Sequence, residues 1–455
     1  MRLFGTDGIR ARAGDFPLDR ATVRTIGASL AEHLAERSNG RAPRIVIGRD
    51  TRESGPIIEA ALTEGARAGG AIVESAGVIT TPGVAYLAKS LPTDAGVVIS
   101  ASHNPYHDNG IKIFDPSGRK LDDTTERKIE ADIFQGRFQD ESQNSVDEPG
   151  DDTRATALRE KYLAYLQHEV ARDLSLRDLK IVLDCANGAA SELAPHVFET
   201  LGAEVTAIHN QPDGRNINLN AGSLHIEGLQ QQVKQAGADL GVAFDGDADR
   251  ALFVDAAGNF VDGDATMWVL ANFMQSRGEL EQQLVVATVM TNLGLEVALR
   301  ERAIKLARTD VGDKYVLDEL LRSQAALGGE QSGHIIFPKI SLAGDGIITA
   351  LSLVRAMRQE QKSLEQLTQG FSRFPQVLIN VKVREKIPFD SLPKVQIKVR
   401  QSEQSLGDRG RLLLRYSGTE SLARVMVEGE ETAKVDAIAN DLAEVIRDEI
   451  GSGKS

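Results

Sequence analysis

Three times along its 455 residues the chain repeats one order of elements, and this repetition narrows the folds open to it more than any other feature. A short apolar strand opens each unit, at Arg44-Ile45-Val46-Ile47-Gly48, Lys180-Ile181-Val182-Leu183-Asp184 and Leu284-Val285-Val286-Ala287-Thr288. A loop and an alanine- or leucine-rich helical stretch follow. A second strand comes next, at Ala71-Ile72-Val73, Ala203-Glu204-Val205 and Ala303-Ile304-Lys305-Leu306. A third strand or turn then ends in a polar, glycine-bearing loop. Strands alternating with helices predict α/β units with mixed, largely parallel sheets, in which ligands bind beyond the carboxyl ends of the strands. The three terminal loops are Ser100 to Pro105, Asp245 to Arg250 and Gly328 to His334. If the units are related, all three face one cleft.

Composition sets the boundaries. A chain of this length holds about three or four domains. The run from Asp140 to Asp152 is polar, acidic and without periodicity, as a linker is. The segment around Gly258 and Gly263 parts the second unit from the third, and Gly370 to Pro375 precedes a region of different character. There, Val377 to Val383 alternates like a half-exposed strand, the mark of a smaller α+β domain. The expected domains are 1–150, 151–257, 258–370 and 371–455.

Apolar residues make up 41% and charged residues 26%, enough for globular cores. No apolar run reaches the roughly 20 residues of a membrane span. Asp7 and Gly8 interrupt the N-terminus before a signal core forms, and the lone Cys185 has no partner for a disulfide or a metal site. The expected compartment is the cytoplasm. A net charge of −14 repels nucleic acid and anionic membranes. An anionic substrate remains open to such a chain, provided cations are gathered locally.

Ser102 follows the apolar strand Ala95 to Ile99, beside His103 and with Pro105 restricting the loop. Such a serine often only caps a turn, and no Gly-x-Ser-x-Gly elbow surrounds it to suggest a hydrolase. Asp245, Asp247 and Asp249 alternate after the strand Asp239 to Phe244. With small Gly246 and Ala248 between them, these carboxylates converge on one hard cation when the loop curls. Oxygen-only ligands favour magnesium or calcium over zinc. The EF-hand is excluded, because Arg250 stands sixth in place of glycine and Ala256 twelfth in place of glutamate. Three carboxylates this close repel one another without a cation, and Arg250 alone does not neutralise them.

Glu330, Ser332 and His334 lie among Gly328, Gly329 and Gly333, which let the backbone approach a ligand closely. Glu and Ser supply acceptors and donors suited to sugar hydroxyls. Near the C-terminus, Arg415-Tyr416-Ser417-Gly418-Thr419-Glu420 leads to Arg424. Two arginines flanking a Ser-Gly-Thr turn suit either a phosphate cradle or a surface turn between strands, and no Walker spacing is present. Arg10 and the run Arg49-Asp50-Thr51-Arg52 read as surface charges near the first unit.

Together these loops resemble the α-D-phosphohexomutase superfamily over essentially the whole chain. The resemblance is carried by Phe4-Gly5-Thr6-Asp7-Gly8-Ile9-Arg10, Ser100 to Pro105 with Asn109-Gly110-Ile111-Lys112, Asp245 to Arg250, Val311-Gly312-Asp313-Lys314-Tyr315-Val316, Gly328 to His334 and Arg415 to Glu420. Gly-Thr-Asp-Gly-Ile-Arg and Gly-Gly-Glu-Gln-Ser-Gly-His point to its glucosamine branch. The resemblance implies three related α/β domains and a smaller C-terminal domain around a central cleft. It implies Ser102 as the phosphorylated residue, with Asp245, Asp247, Asp249 and the Ser102 phosphate as ligands of one magnesium ion. It also implies Glu330 and Ser332 on the sugar hydroxyls, and Arg415, Ser417, Gly418, Thr419 and Arg424 on the phosphate that does not react. Arg250, Lys314 and His334 join these as substrate contacts. Arg10, His103 and Lys112 belong to the catalytic set, and the proton handler is His103, Lys112 or His334. Ala11, Tyr416 and Ser421 depart from the residues usual in the family and bear on fine substrate preference.

The implied activity moves a phosphoryl group between two positions of a hexosamine phosphate, with small-molecule partners, no nucleic acid or membrane, and a monomer or homodimer. Glucose- or mannose-directed mutases of the same superfamily are the alternative. A magnesium-dependent phosphatase needs no separate phosphate cradle, and a non-catalytic sensor would have lost the serine or an aspartate.

Overall fold

The structure, a computed structural model, describes residues 2–5, 7–37, 41–138, 152–417 and 420–452. The linker expected over Asp140 to Asp152 lies almost wholly outside them. The chain forms two compact units, Met1–Val289 with Ala307–Thr368, and Met290–Leu306 with Gln369–Ser455.

In the first unit the sequence repeat is a structural repeat. The first sheet contains β1 (Ile9–Arg12), β2 (Arg44–Arg49), β3 (Ile72–Val78), β4 (Ala95–Ile99) and β5 (Asp108–Phe114) in the order β1-β5-β4-β2-β3. β2 is parallel to β3 and β4, and β5 runs antiparallel to β4. The second sheet contains β6 (Lys180–Asp184), β7 (Glu204–Ile208), β8 (Leu240–Phe244), β9 (Ala251–Asp255) and β10 (Phe260–Val261) in the order β10-β9-β8-β6-β7. Again β6 is parallel to both neighbours and β9 is antiparallel to β8. The third sheet contains β11 (Leu284–Thr288), β12 (Lys305–Thr309), β13 (Leu327–Gly329) and β14 (Ile335–Ile336) in the order β12-β11-β13-β14. The outcome is the α/β architecture of mixed sheets with parallel strands that the strand–helix alternation predicts.

β4 and β8 are buried along their whole length, as strands with apolar side chains on both faces require. Two helix starts matter for the site. Helix Thr81–Ser90 begins where Thr80 Oγ1 accepts from Gly83 N at 3.1 Å, with Pro82 in its first turn. Helix Gly346–Glu360 begins at Asp345, whose Oδ1 accepts from Ile347 N and Ile348 N at 2.9 and 3.0 Å. The second strand of the third unit starts later than expected. Ala303 has φ 58° and belongs to the turn closing helix Leu293–Glu301, where Ile304 N donates to Leu299 O, so extension begins at Lys305.

The second unit is α+β. β15 (Gln376–Lys382), β16 (Gly410–Tyr416) and β17 (Leu422–Gly429) form an antiparallel sheet in the order β15-β17-β16. Helices Pro393–Leu406 and Thr432–Ile450 supply Val395, Leu442 and Ile446 to a core shared with Val381, Val425 and Val427. No described helix is long and apolar enough to cross a membrane.

Candidate active site

In the three sheets β4, β8 and β13 turn sharply, and β5, β9 and β14 return antiparallel, so each terminal loop is tied at both ends. The turns after β4 and β8 place Ser102 and Ala248 at φ 52° and 56°, and the loop after β13 turns at Gly333, φ 91°. These three loops meet. Ser102 Oγ donates to Asp245 Oδ2 at 2.6 Å and lies 3.3 Å from His103 Nδ1. His334 Nδ1 lies 3.7 Å from Asp249 Oδ2.

Asp245, Asp247 and Asp249 are buried, and one oxygen of each lies within 4.8 Å of the others. Two further features bear on a cation. Asp247 Oδ1 and Asp249 Oδ1 are buried without any hydrogen-bond partner, and every donor atom of the trio is a hard oxygen. The site therefore fits a divalent cation. Lys112 joins Arg250 against these charges. Its Nζ reaches across from β5 to Asp247 Oδ2 at 2.8 Å, Asp249 Oδ2 at 3.4 Å and Asp7 Oδ2 at 3.0 Å. Both lysine contacts within the trio use the Oδ2 atoms and leave the Oδ1 atoms unbonded. Thr81 also holds Asp247, through Oγ1 to Oδ2 at 2.6 Å and through its N–H to the carbonyl at 3.0 Å.

An alternating chain of charges extends this cluster. Asp7 pairs with Arg10, Lys112 and Lys120, and Lys120 Nζ reaches Asp313 Oδ2 at 2.6 Å. A cavity of about 350 Å³ is lined by Asp7, Lys112, Lys120, Asp249, Lys314 and His334 among others. Lys314 itself pairs with Asp123. Glu330 Oε1 accepts from Gly312 N at 3.2 Å, and Ser332 Oγ lies 3.5 Å from Glu330 Oε2.

The electrostatics separate these groups. Burial, reinforced by Asp249 and Asp247, pushes the Asp245 carboxyl well above the usual range. Burial also opposes the charge on Asp249, but Lys112 and His334 outweigh it and hold that carboxyl low. Lys112 is likewise held charged against its burial by Asp247, Asp7 and Asp249. His334 is raised to about 9 because Asp249 outweighs desolvation, whereas burial and the neighbouring Arg250 and Arg10 lower His103 to about 4. At neutral pH one histidine is a cation and the other a neutral ring.

The run Arg49 to Arg52 corrects an expectation. Asp50 and Arg52 are buried, not surface charges, because Arg52 Nε donates to Asp50 Oδ2 at 2.9 Å and the remaining guanidinium donors serve carbonyls. Thus the structure brings together Ser102, His103, Lys112, Asp245, Asp247, Asp249, Arg250 and His334, with Arg10 reached through Asp7. Sequence reasoning gave no role to Asp7, Thr81, Lys120 or Asp313. Asp7 and Asp313 sit inside the motifs quoted above, so an acid within each motif was the available signal.

In the second unit Arg415 on β16 stands directly opposite Arg424 on β17. Burial and Arg424 lower the Arg415 pKa. Ser417 is buried beside them, its carbonyl accepting from Lys386 Nζ at 2.6 Å, and its Oγ accepts from Glu420 N at 3.3 Å. Paired like charges on adjacent strands are unfavourable unless an anion lies between them. Gly418 and Thr419 lie outside the described residues.

Models of the phosphoglucomutase/phosphomannomutase family match the chain in four consecutive parts. These are alpha/beta/alpha domain I over residues 1–140, domain II over 160–258, domain III over 262–374 and the C-terminal domain over 378–445. The phosphoglucosamine mutase of Koribacter versatilis is 48% identical, over 99% of this chain and 97% of that protein. The phosphoglucosamine mutase of Deinococcus deserti is 49% identical, over 98% of each. Among solved structures, a phosphoglucomutase/phosphomannomutase family protein from Burkholderia thailandensis superposes with a TM-score of 0.79 at 25% identity, covering 99% of both chains. Aspergillus fumigatus N-acetylphosphoglucosamine mutase, in complex with GlcNAc-6P and magnesium, has a TM-score of 0.65 at 17% identity, covering 98% of this chain and 96% of that one.

Proposed function

The chain belongs to the phosphoglucomutase/phosphomannomutase family, among its phosphoglucosamine mutases, and from that premise we propose that it interconverts glucosamine 6-phosphate and glucosamine 1-phosphate through phospho-Ser102 and a bisphosphate. The observation that carries the assignment of roles is the 2.6 Å hydrogen bond from Ser102 Oγ into the buried carboxylate trio. Four domains, 1–150, 151–257, 258–370 and 371–455, cytoplasmic residence, hexosamine phosphates as small-molecule partners and a monomer or homodimer belong to this reading.

Phosphoryl transfer depends on charge neutralisation and in-line positioning. Asp245, Asp247 and Asp249, with the Ser102 phosphate, would hold one magnesium ion, which when bound offsets charge on the group in transit. The remaining work falls to side chains. As the P–Oγ bond of phospho-Ser102 breaks, a free sugar hydroxyl bonds to phosphorus and gives up its proton. The bisphosphate turns around, and its other phosphoryl group returns to Ser102. Of the three proton-handling candidates, Lys112 is committed to carboxylates and His334 is held protonated by Asp249. His103 is neutral near pH 7 and lies 3.3 Å from Ser102 Oγ, which makes it the ring able to accept a proton there. Lys112 and Arg250 keep fixed positive charge against the carboxylates throughout.

Specificity tests the proposed substrate. Recognition must survive the turn, so it rests on features preserved by flipping: one phosphate and the 3- and 4-hydroxyls, assigned to Glu330 and Ser332. Glucosamine and glucose phosphates share these, and an amine in place of a hydroxyl is nearly isosteric. Glucosamine phosphate is expected to be preferred, with measurable glucose phosphate turnover and weaker use of mannose phosphate. The check is kcat/KM on the three 6-phosphates. A tenfold advantage for glucose or mannose phosphate, about 1.4 kcal/mol of transition-state preference, overturns the glucosamine assignment.

Arg415, Ser417, Gly418, Thr419 and Arg424 are proposed to hold the phosphate that does not react. Arg415→Gln is expected to raise KM about tenfold or more with a smaller change in kcat, since binding is lost in ground and transition states alike. Relieving the Arg415–Arg424 repulsion should also stabilise the phosphate-free protein by about 0.2–1 kcal/mol. Thermal melts and steady-state kinetics read both effects, and an unchanged KM refutes the cradle.

A further inference from the structure

The backbone carbonyls of Ser102 and Asn104 each receive two side-chain donors, from two different sheets' loops. Arg52, 1% exposed, lies just beyond β2 and is oriented by Asp50, which accepts its Nε at 2.9 Å and its backbone N–H at 3.0 Å. Arg52 Nη2 donates to Ser102 O at 2.9 Å and Asn104 O at 2.8 Å. Its Nη1 donates to Asp108 O at 3.0 Å and to Pro105 O. Asn218, from the segment between β7 and β8, donates through Nδ2 to the same Ser102 and Asn104 carbonyls, at 2.9 and 3.0 Å. Gly246 closes the third side: a Cβ there would stand 2.5 Å from Ser102 O and 2.9 Å from Asn218 Nδ2.

We infer that Arg52 and Asn218 are positioning residues, a two-sided clamp on the Ser102 peptide that aims Ser102 Oγ at the carboxylate trio through both phosphoryl transfers. The inference rests on Ser102 being the phosphoryl carrier. Ser102 occupies the left-handed region at φ 52°, where a side chain needs outside support to stay. Holding its carbonyl fixes the peptide plane and hence the direction of Cβ and Oγ. Only a planar guanidinium presents donors to four carbonyls at once while pairing with Asp50, and an ammonium does not. Asn218 carries the second sheet's half of the clamp, so the serine's aim depends on the same sheet that supplies the aspartates. A displacement of about 1 Å at a reacting atom is enough to cost on the order of a hundredfold in rate.

The test uses the full chain with Arg52→Lys and Asn218→Ala. Each is followed by kcat, KM, thermal melting and hydrogen exchange at residues 100–105. Asn218→Ala is expected to lower kcat about ten- to a hundredfold with KM within twofold, a nearly unchanged melt and faster exchange confined to that loop. Arg52→Lys should lower kcat further; if it fails to fold, Asn218→Ala still decides. A folded Asn218→Ala with wild-type kcat overturns the clamp, as does a fall in kcat, affinity and melting temperature together. Should wild-type turnover prove independent of Ser102, the carrier reading fails instead, and the exchange result stands apart from it.

Discussion

Ser102→Ala is expected to lower turnover by about 10³-fold or more, some 4 kcal/mol of transition-state stabilisation, while the fold persists. Loss of turnover and persistence of the fold have separate physical causes. Alanine removes Oγ, the atom that donates to Asp245 and stands beside His103, and the neighbouring hydroxyl of Ser100 is already committed to Asp50. Thr81 Oγ1, which also lies at the trio, is bound to Asp247 Oδ2 at 2.6 Å, so neither hydroxyl stands free to replace Ser102 as nucleophile. The loop itself is held through backbone carbonyls, by Arg52 and Asn218, and these contacts do not involve the side chain that is lost. The structural cost is the two side-chain hydrogen bonds to Asp245 and His103, about 1–3 kcal/mol. Intact-mass measurement should find a phosphate increment on part of the purified wild-type protein and none on the variant. A phosphate mapped to any other residue refutes the carrier assignment.

What could be read from sequence divides along a physical line. β4 and β8 announce themselves as continuous apolar runs because both faces are buried. Their antiparallel partners do not. β5 opens on Asp108-Asn109-Gly110, β9 follows the aspartate loop without a break, and β14 is two residues long. In each case the functional loop is also a hairpin connection, so its polar and glycine residues masked the returning strand. The site divides in the same way. Ser102 and the alternating aspartates are local patterns, and loop composition suffices to find them. Lys112 with Asp7, Thr81 with Asp247, and Asn218 with Ser102 are pairings across 105, 166 and 116 positions. Such contacts depend on which strand ends become neighbours, and local composition carries no record of that. Arg52 is the sharpest instance. In sequence it is one charge in a polar run, and only the carbonyls around it explain why a guanidinium is buried there.

Stripping divalent cation from the protein should abolish measurable turnover, a loss of about a hundredfold or more, and magnesium should restore it. Charge sets this requirement. Asp245, Asp247 and Asp249 bring three carboxylates into a buried space, against which Lys112, Arg250 and the protonated His334 set three cations. A phosphate on Ser102 adds about −1.5 to −2 at neutral pH, within reach of Asp245. The side chains present cannot balance that sum at close range, and Lys112 leaves the Oδ1 atoms of Asp247 and Asp249 unbonded. Asp247→Asn removes one charge and turns one oxygen into an amide donor, so the magnesium requirement should rise about tenfold. Calcium should bind and support poor turnover, because its looser coordination aligns the phosphoryl group less firmly. Binding has a readout independent of activity. Magnesium should raise the melting temperature of the wild-type protein by mass action, and raise that of Asp247→Asn less at equal concentration. Full activity in excess chelator would exclude the metal from the reaction, whereas lost activity with no magnesium-dependent shift in melting would place the essential cation somewhere other than these three aspartates.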